Sequence, residues 1–398
     1  MLWIVGLALT GLTLFGAIEV ASRRWLRRHT KYCVWTPGLH LELRQHPGVF
    51  PQIERRVQLQ INADGERGGQ IPADQTGCFR VLVAGGSAAE CLALDGRTSW
   101  PGALERLLSS PDGLRTLHAR RVHVGNIARS GIAASELDLI FERVLPQYRS
   151  SLSAIVIMVG ASDVLKWLEE GAPANRPAHP GSPADTFACY PEERFGWKPG
   201  RWGLTEMARR LRRAWLRPVQ VRDNAGAWVP DARKMRAQAT EWRASVPDPA
   251  VMLDNFERHF RRLVACAAAH ADRVLIARQP WFDKEASAAE SAFFWHGGVG
   301  KAWKQTITTF YTSEVLATLM ARLDARAAAV AAEAGVEQLD LRPVLTPTLE
   351  HYYDFFHCTP AGAAVIARSV AAALLRSPPS RRRSPLPAVA RSMSGAAD

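Results

Sequence analysis

Three residues that lie far apart in the chain have the types needed for nucleophilic catalysis. Ser87 follows the apolar run Arg80–Gly86, and Asp354 and His357 stand three residues apart in YYDFFHCTPAG. A serine hydroxyl needs a base to remove its proton, and an imidazole with a pKa near about 6.5 suits that task. A carboxylate can fix the orientation of the imidazole. The pattern predicts Ser87 as nucleophile, His357 as base and Asp354 as orienting group.

Backbone donors for a developing oxyanion can also be proposed from the sequence. Such donors must be held in place before the reaction, and backbone N–H groups often serve. The N–H groups of Ser87 and Gly131 are the candidates. Glycine at position 131 would let the backbone approach a substrate closely.

Other interpretations of these residues stay open at this stage. Ser87 could be a small turn residue, and Asp354 could cap the last helix, because aspartate favours such positions. A phosphate-binding turn is disfavoured, since Gly85 and Gly86 do not fit the spacing G-x-G-x-x-G. Metal binding by Asp354 and His357 would need a third ligand, and none is evident. We therefore expect no metal and no cofactor.

Apolar strands and amphipathic helices alternate from residue 79 onward, and this alternation predicts the framework for the site. It is typical of a parallel sheet covered on both faces, which gives a three-layer α/β/α sandwich. In such folds the site forms beyond the carboxyl ends of the strands. The predicted strands are 79–85, 121–128, 154–160, 272–280 and 336–341, and the predicted helices are 98–110, 133–148, 248–270, 313–335 and 359–375.

The same residues resemble the four sequence blocks of the SGNH, or GDSL, hydrolases, in the order of that family. Gly85–Ser87 stands for Gly-Asp-Ser, Gly131 for the glycine block, Gly160–Asp163 for Gly-x-Asn-Asp, and Asp354 with His357 for Asp-x-x-His. The resemblance spans about residues 79–375, and INADGERGG is similar to the lead-in of membrane-anchored bacterial members. It implies a flavodoxin-like α/β/α fold, no metal, and hydrolysis or transfer of an acyl ester.

Two positions depart from the family pattern. Gly86 replaces an aspartate that supports the turn, and this change leaves the nucleophile and base in place. Ser162 replaces an asparagine that donates to the oxyanion, and losing one such donor costs roughly 10²–10³ in rate elsewhere. The resemblance implies an oxyanion hole of Ser87, Gly131 and Ser162. The replacement at Ser162 leaves three alternatives open: a slow enzyme, an enzyme that uses a different oxyanion donor, or a protein that keeps the fold without hydrolysing esters.

Two long segments interrupt the alternation. An insertion at about 166–249 follows the third strand, and 281–312 follows the fourth, so both could form a lid or a substrate wall. In the second segment, His296 could line a substrate-binding pocket or pack in an aromatic cluster. The tryptophans of the insertion could stack on sugar rings or pack the lid, and they are Trp167, Trp197, Trp202, Trp215, Trp228 and Trp242.

The start of the chain is apolar and carries no charge before Glu19. At about 1.5 Å per residue such a helix just spans a bilayer core of roughly 30 Å. Without a basic start or a clean cleavage site, an uncleaved anchor is favoured over a signal peptide, with a buried core helix as the alternative. The arginines from Arg23 to Arg28 favour a cytoplasmic domain, whereas the chemistry suits the outside, so the membrane side stays open.

Four regions are expected along the chain: an anchor at 1–22, a juxtamembrane lead-in at 23–77, an SGNH hydrolase-like domain at 78–376, and a disordered tail at 377–398. The net charge of +12 lies in basic clusters without a nucleic-acid-binding module. We therefore expect no nucleic-acid partner, and attraction to anionic lipid or polysaccharide. The six cysteines include no CxxC pair, and the sequence cannot pair them.

The combined pattern predicts a single-pass, membrane-anchored serine esterase that hydrolyses an O-acyl ester. The expected substrate is a small-molecule or carbohydrate ester, with an acetylated carbohydrate or cell-envelope polymer favoured. The acyl-enzyme could instead pass its acyl group to a sugar hydroxyl, as in a polysaccharide O-acetyltransferase. A non-catalytic binding or assembly protein of the same fold is a further alternative, motivated by Ser162.

Overall fold

The structure is a computed structural model that describes residues 2–148, 152–191 and 202–376. The strands within these ranges are β1 His40–Gln45, β2 Arg56–Gln60, β3 Cys78–Gly85, β4 Arg121–Asn126, β5 Leu152–Met158, β6 Val219–Ala225, β7 Glu241–Arg243, β8 Ala271–Arg278, β9 Thr309–Tyr311 and β10 Glu337–Asp340. The helices are α1 Leu2–His29, α2 Ser87–Glu90, α3 Trp100–Leu108, α4 Pro111–Thr116, α5 Ala134–Val144, α6 Ala161–Glu169, α7 Pro183–Thr186, α8 Gly203–Leu216, α9 Val229–Ala237, α10 Ala250–His270, α11 Ala288–Ser291, α12 Ser313–Glu333 and α13 Pro360–Arg376.

The main sheet has five parallel strands in the order β10-β8-β5-β3-β4. Counted along the chain from β3, this is the order 2-1-3-4-5 of flavodoxin-like sheets. Helices α3 and α13 pack together, and α10 packs with α5 and α12. The predicted α/β/α sandwich with a flavodoxin-like sheet is therefore confirmed, and all five predicted strands belong to this sheet.

A second, three-stranded sheet has the order β2-β1-β6 and was not anticipated from the sequence. Strand β1 pairs antiparallel with β2 and parallel with β6. Alternate residues of β1 and β2 point to one face and form a small apolar cluster of Leu41, Leu43, Val57 and Leu59. Because β6 comes from the insertion at 166–249, this sheet joins the insertion to the juxtamembrane lead-in.

Helix α1 runs from Leu2 to His29 without a break. Within the described residues, its segment Trp3–His29 is the one long and apolar enough to cross a membrane, with a mean hydropathy of 1.9 in its most apolar part. A signal sequence near the N-terminus would have the same character. The Glu19 carboxylate accepts hydrogen bonds from the N–H groups of Gly203 at 2.7 Å and Leu204 at 3.0 Å. The helix is thereby joined to the start of α8.

The insertion contains regular structure in its described part. It includes α6 to α9 as well as β6 and β7, and Val229 and Ala232 of α9 are buried in the main core. Residues 192–201, which include Trp197, lie outside the described residues, as does the expected tail at 377–398.

Candidate active site

The end of β3 positions Ser87 through a sharp turn. Gly85 has φ +153°, and a Cβ atom there would lie 1.8 Å from the carbonyl oxygen of Met158, so only glycine fits. Gly86 precedes the first turn of α2, and Ser87 is the first residue of that turn. The half-buried Ser87 therefore stands at the carboxyl edge of the sheet, where the topology predicts a site.

The structure brings Ser87, His357 and Asp354 into one hydrogen-bonded chain. The His357 Nε2 atom lies 2.7 Å from the Ser87 Oγ atom, and the His357 Nδ1 atom lies 2.6 Å from Asp354 Oδ2. Ser87 and His357 are 270 positions apart in the chain, and they meet because β3 and the loop before α13 end at the same sheet edge. This arrangement lets an imidazole accept the serine proton while a carboxylate fixes its other nitrogen.

A tight loop holds Asp354 in place. Its second oxygen, Oδ1, accepts hydrogen bonds from the N–H groups of Phe356 at 2.7 Å and His357 at 2.8 Å. The N–H of Tyr353 donates to the His357 carbonyl at 3.0 Å and closes the loop. Thr359, rather than Asp354, accepts from the first turn of α13, through Gly362 N–H at 3.2 Å.

The electrostatics of the pair favour a charged carboxylate beside a basic imidazole. Burial alone would lower the pKa of His357, but the charge and hydrogen bond of Asp354 more than offset it, so the pKa lies above its usual value. Burial alone would raise the pKa of Asp354, yet His357, His296 and the loop N–H groups hold it below its usual value. The imidazole is therefore a stronger base than an isolated histidine.

Three backbone segments meet beside Ser87. The N–H of Arg129 donates to the Gly85 carbonyl at 3.1 Å and draws the loop containing Gly131 onto the strand end. A Cβ atom on Gly86 would lie 3.3 Å from the carbonyl oxygen of Ile132 and 3.6 Å from the Oγ of Ser162. The Gly131 loop and Ser162 therefore both flank the turn that carries the serine.

The expected oxyanion donors have free space around them. Gly131 has φ +76° and is exposed, and no atom lies within 4 Å of where its Cβ would be. Within the described part of the chain, the N–H groups of Ser87 and Gly131 donate to no protein acceptor. Ser162 is buried at the start of α6. Both N–H groups are thus available to an oxyanion.

A buried carboxylate that the sequence analysis did not single out stabilises this loop. Glu90, at the end of α2, accepts hydrogen bonds from the N–H of Ser130 at 2.6 Å and from the Ser130 hydroxyl. Burial raises the pKa of Glu90, and these hydrogen bonds oppose the rise. Asn126 adds a second link, since its Nδ2 donates to the Ala89 carbonyl at 2.8 Å. The one feature of the sequence that could have pointed to these contacts was the placement of Asn126 at the end of a predicted strand.

The lead-in segment INADGERGG contributes a buried arginine to the same region. The Arg67 guanidinium donates to the carbonyl oxygens of Glu90, of Cys91 at 2.9 Å and of Leu94 at 2.6 Å. Its backbone also pairs with Asn126 in an isolated bridge. These carbonyls follow the short helix α2, so Arg67 fixes the segment directly after the serine.

Asp163 joins the Ser162 segment to the Gly131 loop. Both of its carboxylate oxygens accept from the N–H of Ala134, at 3.1 and 3.0 Å, at the start of α5. Burial raises the pKa of Asp163 to about 7, although the Ala134 hydrogen bond opposes the rise. These contacts give Asp163 a structural role, since it ties the start of α6 to the start of α5.

His296 packs beside His357 and Asp354. Its ring lies 5.7 Å from the His357 ring and 5.0 Å from the Phe356 ring, in an aromatic cluster with Trp295. Burial lowers the pKa of His296 to about 3, so the ring is neutral at physiological pH. Its Nδ1 atom is buried and has no hydrogen-bond partner among the described residues. Both interpretations of His296, cluster packing and a position near substrate, are compatible with this geometry.

His296, Asp354 and His357 are also the residues that could hold a metal ion, since their ligand atoms lie within 4.8 Å of one another. His357 already uses Nδ1 for Asp354 and Nε2 for Ser87. A metal bound by all three would therefore have to displace the hydrogen bond of His357 either to Asp354 or to Ser87.

The tryptophans of the insertion do not form one surface. Trp167 is fully buried in the core, whereas Trp202 contacts Phe15 of α1. By contrast, the partly exposed Trp228 lies 6.1 Å from the Trp295 ring and 5.9 Å from that of Trp303. Trp295 in turn stacks near His357, with ring centres 6.4 Å apart. An aromatic ridge of Trp295, Trp228 and Trp303 therefore leads from His357 to the surface.

No protein-family model and no curated protein matches this sequence. Among solved structures, the chain is similar to the α/β hydrolase LAE5 from the metagenome of Lake Arreo, at 13% identity and a TM-score of 0.41, covering 75% of this chain and 97% of that one. It is similar to the acetylxylan esterase Axe2 from Geobacillus stearothermophilus, at 14% identity and a TM-score of 0.39, covering 73% and 92%. It is also similar to a member of the lipolytic protein G-D-S-L family from Veillonella parvula, at 10% identity and a TM-score of 0.40, covering 75% and 99%.

Proposed function

We propose that this chain is a serine ester hydrolase of the SGNH type that acts on an O-acyl group. The observation that carries the proposal is the continuous hydrogen-bonded chain from Ser87 through His357 to Asp354. The turn at Gly85 supports the same role, because it presents the serine at the carboxyl edge of the sheet.

In the proposed mechanism, the Ser87 oxygen attacks the ester carbonyl carbon while His357 Nε2 accepts the hydroxyl proton. The N–H groups of Ser87 and Gly131, with the Ser162 hydroxyl, donate to the oxyanion of the tetrahedral intermediate. The intermediate collapses to an acyl-enzyme as His357 gives its proton to the leaving alcohol. Water then attacks the acyl-enzyme in the same way and releases the carboxylic acid.

We further propose a carbohydrate ester as the substrate. The aromatic ridge of Trp295, Trp228 and Trp303 supports this, because aromatic faces next to a catalytic centre suit the apolar faces of sugar rings. The neutral His296, whose ring lies 5.7 Å from that of His357, would line the substrate pocket. Helix α1 would anchor the domain 78–376 to the membrane by a single span at about 1–22.

The test uses the full chain purified in detergent. We expect the wild type to hydrolyse p-nitrophenyl acetate and to react covalently with a fluorophosphonate at Ser87, and Ser87→Ala to lose both reactions. Ser109→Ala is the matched control, since Ser109 is exposed at the end of α3, away from the site. Equal background rates in all three proteins, without labelling, would refute the proposal.

The carbohydrate proposal has a separate test. Replacing Trp228 or Trp303 by alanine should raise the KM for an acetylated oligosaccharide by about tenfold, since stacking contacts contribute about 1 kcal/mol or more. The kcat for p-nitrophenyl acetate should stay unchanged. An unchanged KM for the oligosaccharide would argue against the ridge as a sugar-binding surface.

A further inference from the structure

Two cysteines away from the candidate active site lie directly opposite each other. Cys33, just after α1, and Cys189, just after α7, form an isolated antiparallel bridge. The N–H of Cys33 donates to the Cys189 carbonyl at 2.9 Å, and the N–H of Cys189 donates back at 3.2 Å. Residues that exchange both bonds have Cα atoms about 5.5 Å apart, within the range of about 4.4–6.8 Å found for disulfides.

The two side chains occupy the same small region. Opposed residues of an antiparallel bridge project to the same face. Both cysteines line one cavity of about 490 Å³, which opens a route to the sulfur atoms. Burial raises the pKa of the Cys33 thiol to about 12, and the neighbouring Cys189 adds to the rise.

The segments that carry both cysteines are fixed to the domain. The Gln147 side chain accepts from the Tyr32 N–H at 2.9 Å and donates to the Tyr32 carbonyl at 3.0 Å. The buried Phe187 packs edge-on against the Tyr32 ring at 5.0 Å. Among the described residues, no other two cysteines are bridge partners. The contacts of Tyr32 with Gln147 and Phe187 therefore hold Cys33 and Cys189 opposite each other.

We propose that Cys33 and Cys189 form a disulfide bond that ties the segment after α1 to the insertion. The half-buried Cys189, as thiolate, attacks the disulfide of a thiol–disulfide oxidoreductase, which forms a mixed disulfide and releases one sulfur of the oxidoreductase. The Cys33 sulfur then displaces the second sulfur and completes the bond. The two protons and two electrons lost by the cysteines end on the oxidoreductase, which becomes a dithiol.

This bond also assigns the membrane side. Structural disulfides persist in oxidising compartments, so the domain lies outside the cytoplasm. The arginines after the apolar segment favour the opposite side, so the disulfide and the charge bias point to different sides, and the cysteine mapping below decides between them. The inference does not depend on the proposed esterase function, since it concerns residues outside that site.

The experiment maps the cysteines of the full chain in bacterial membranes. Thiols are blocked with iodoacetamide before lysis, and the protein is digested with trypsin without reductant. We expect a linked pair of peptides, residues 32–44 joined to 167–194, that separates on reduction. The linked pair should be absent in Cys33→Ser and in Cys189→Ser. It should persist in the control Cys78→Ser, whose half-buried cysteine lies at the start of β3.

A maleimide–polyethylene glycol gel shift on the denatured protein gives a second measurement that needs no folded variant. The wild type should gain two more adducts after reduction than before it, and either single variant at position 33 or 189 should abolish that difference. Alkylated peptides 32–44 and 167–194 in the unreduced wild type would overturn the proposal. So would a two-adduct difference that survives in Cys33→Ser, because another pair would then carry it.

Discussion

The two halves of the candidate active site are built in different ways. The nucleophile half is a chain of side-chain hydrogen bonds, from Ser87 to His357 at 2.7 Å and from His357 to Asp354 at 2.6 Å. The oxyanion half combines the N–H groups of Ser87 and Gly131 with the Ser162 hydroxyl, and within the described residues those N–H groups donate to no protein atom. The first half is complete without substrate, whereas the second is completed only by a ligand.

This difference indicates how the two halves should respond to substitution. Each side chain of the nucleophile half has a role that no neighbour can take over, so one replacement breaks the whole chain. The oxyanion half depends mostly on backbone groups, so a side-chain change removes one donor of several. We expect large losses of rate from the first half and small ones from the second.

The largest effect should come from His357. In His357→Gln, no base remains to accept the Ser87 proton, and we expect kcat for p-nitrophenyl acetate to fall by about 10⁴-fold or more. Stopped-flow or spectrophotometric assays measure this, with circular dichroism as the control for folding. A residual rate within tenfold of the wild type would mean that the two halves do not differ as described.

The next largest effect should come from Asp354→Asn, with a loss of about 10³–10⁴-fold in kcat. The wild-type carboxylate raises the pKa of His357, and catalysis needs the neutral imidazole, so activity should rise with pH through a pKa above the usual histidine value. The variant should move that rising limb to lower pH. The pH profile of kcat/KM checks this, and an unmoved limb would assign it to another group.

A smaller effect is expected for Ser162→Ala on the oxyanion side. Losing one neutral donor beside two backbone donors should lower kcat by about 10–100-fold with little change in KM. Ser162→Asn is the contrasting variant, because its longer amide retains a donor, and it should keep at least the wild-type rate. If the alanine variant were as active as the wild type, Ser162 would not belong to the oxyanion hole.

The Gly131 loop should show a modest stability effect. A side chain at φ +76° costs about 1–2 kcal/mol, and no steric clash adds to it, since the Cβ position is open. Gly131→Ala should therefore lower the free energy of unfolding by about that amount in urea titrations. Gly69→Ala is the matched control, with an equally open site and no positive φ, and it should be close to neutral.

The last effect is a pH dependence of stability rather than a loss of rate, and it concerns Asp163, which supports the oxyanion half. Burial raises its pKa to about 7, so the folded protein binds this proton more tightly than the unfolded chain. Its contribution to stability is therefore fully present at low pH and declines as pH rises toward 7, by at most about 1.4 kcal/mol per pH unit. Asp163→Asn should remove this slope and keep the Ala134 hydrogen bond. An identical pH dependence of unfolding in both proteins would contradict the assignment.

The sequence was sufficient to predict the fold and the candidate site where both follow from local patterns. The five central strands are short apolar runs between helices, so their parallel pairing was predictable from the pattern, whereas their flavodoxin-like order was implied by the family resemblance. Ser87 and His357 could be paired because each lies at a strand or helix boundary that parallel topology brings to one edge. The residues Asp354 and His357 also share one loop, so their contact needs only local geometry.

The sequence was not sufficient to predict contacts that depend on long-range pairing of polar residues. Glu90 and Arg67 look like surface residues in the sequence, yet both are buried and bonded to distant backbone. The sheet β2-β1-β6 joins residues far apart in the chain, such as His40 and Val219, and β6 lies inside the insertion at 166–249. The tryptophans of that insertion likewise divide between core and surface according to packing, as Trp167 and Trp228 show.

The buried Arg67 has a consequence for where an independently folding unit can begin. Its guanidinium supplies hydrogens to three carbonyl groups that follow α2, and its main chain pairs with Asn126. A protease that trimmed the chain to residue 78 would leave the five-stranded sheet intact but deprive those carbonyls of their donors. Each orphaned group would cost about 1–3 kcal/mol, comparable together to the whole stability of a typical domain. The stretch ahead of β3 thus acts as an internal brace of the domain that carries the five-stranded sheet, and not as a spacer to the membrane.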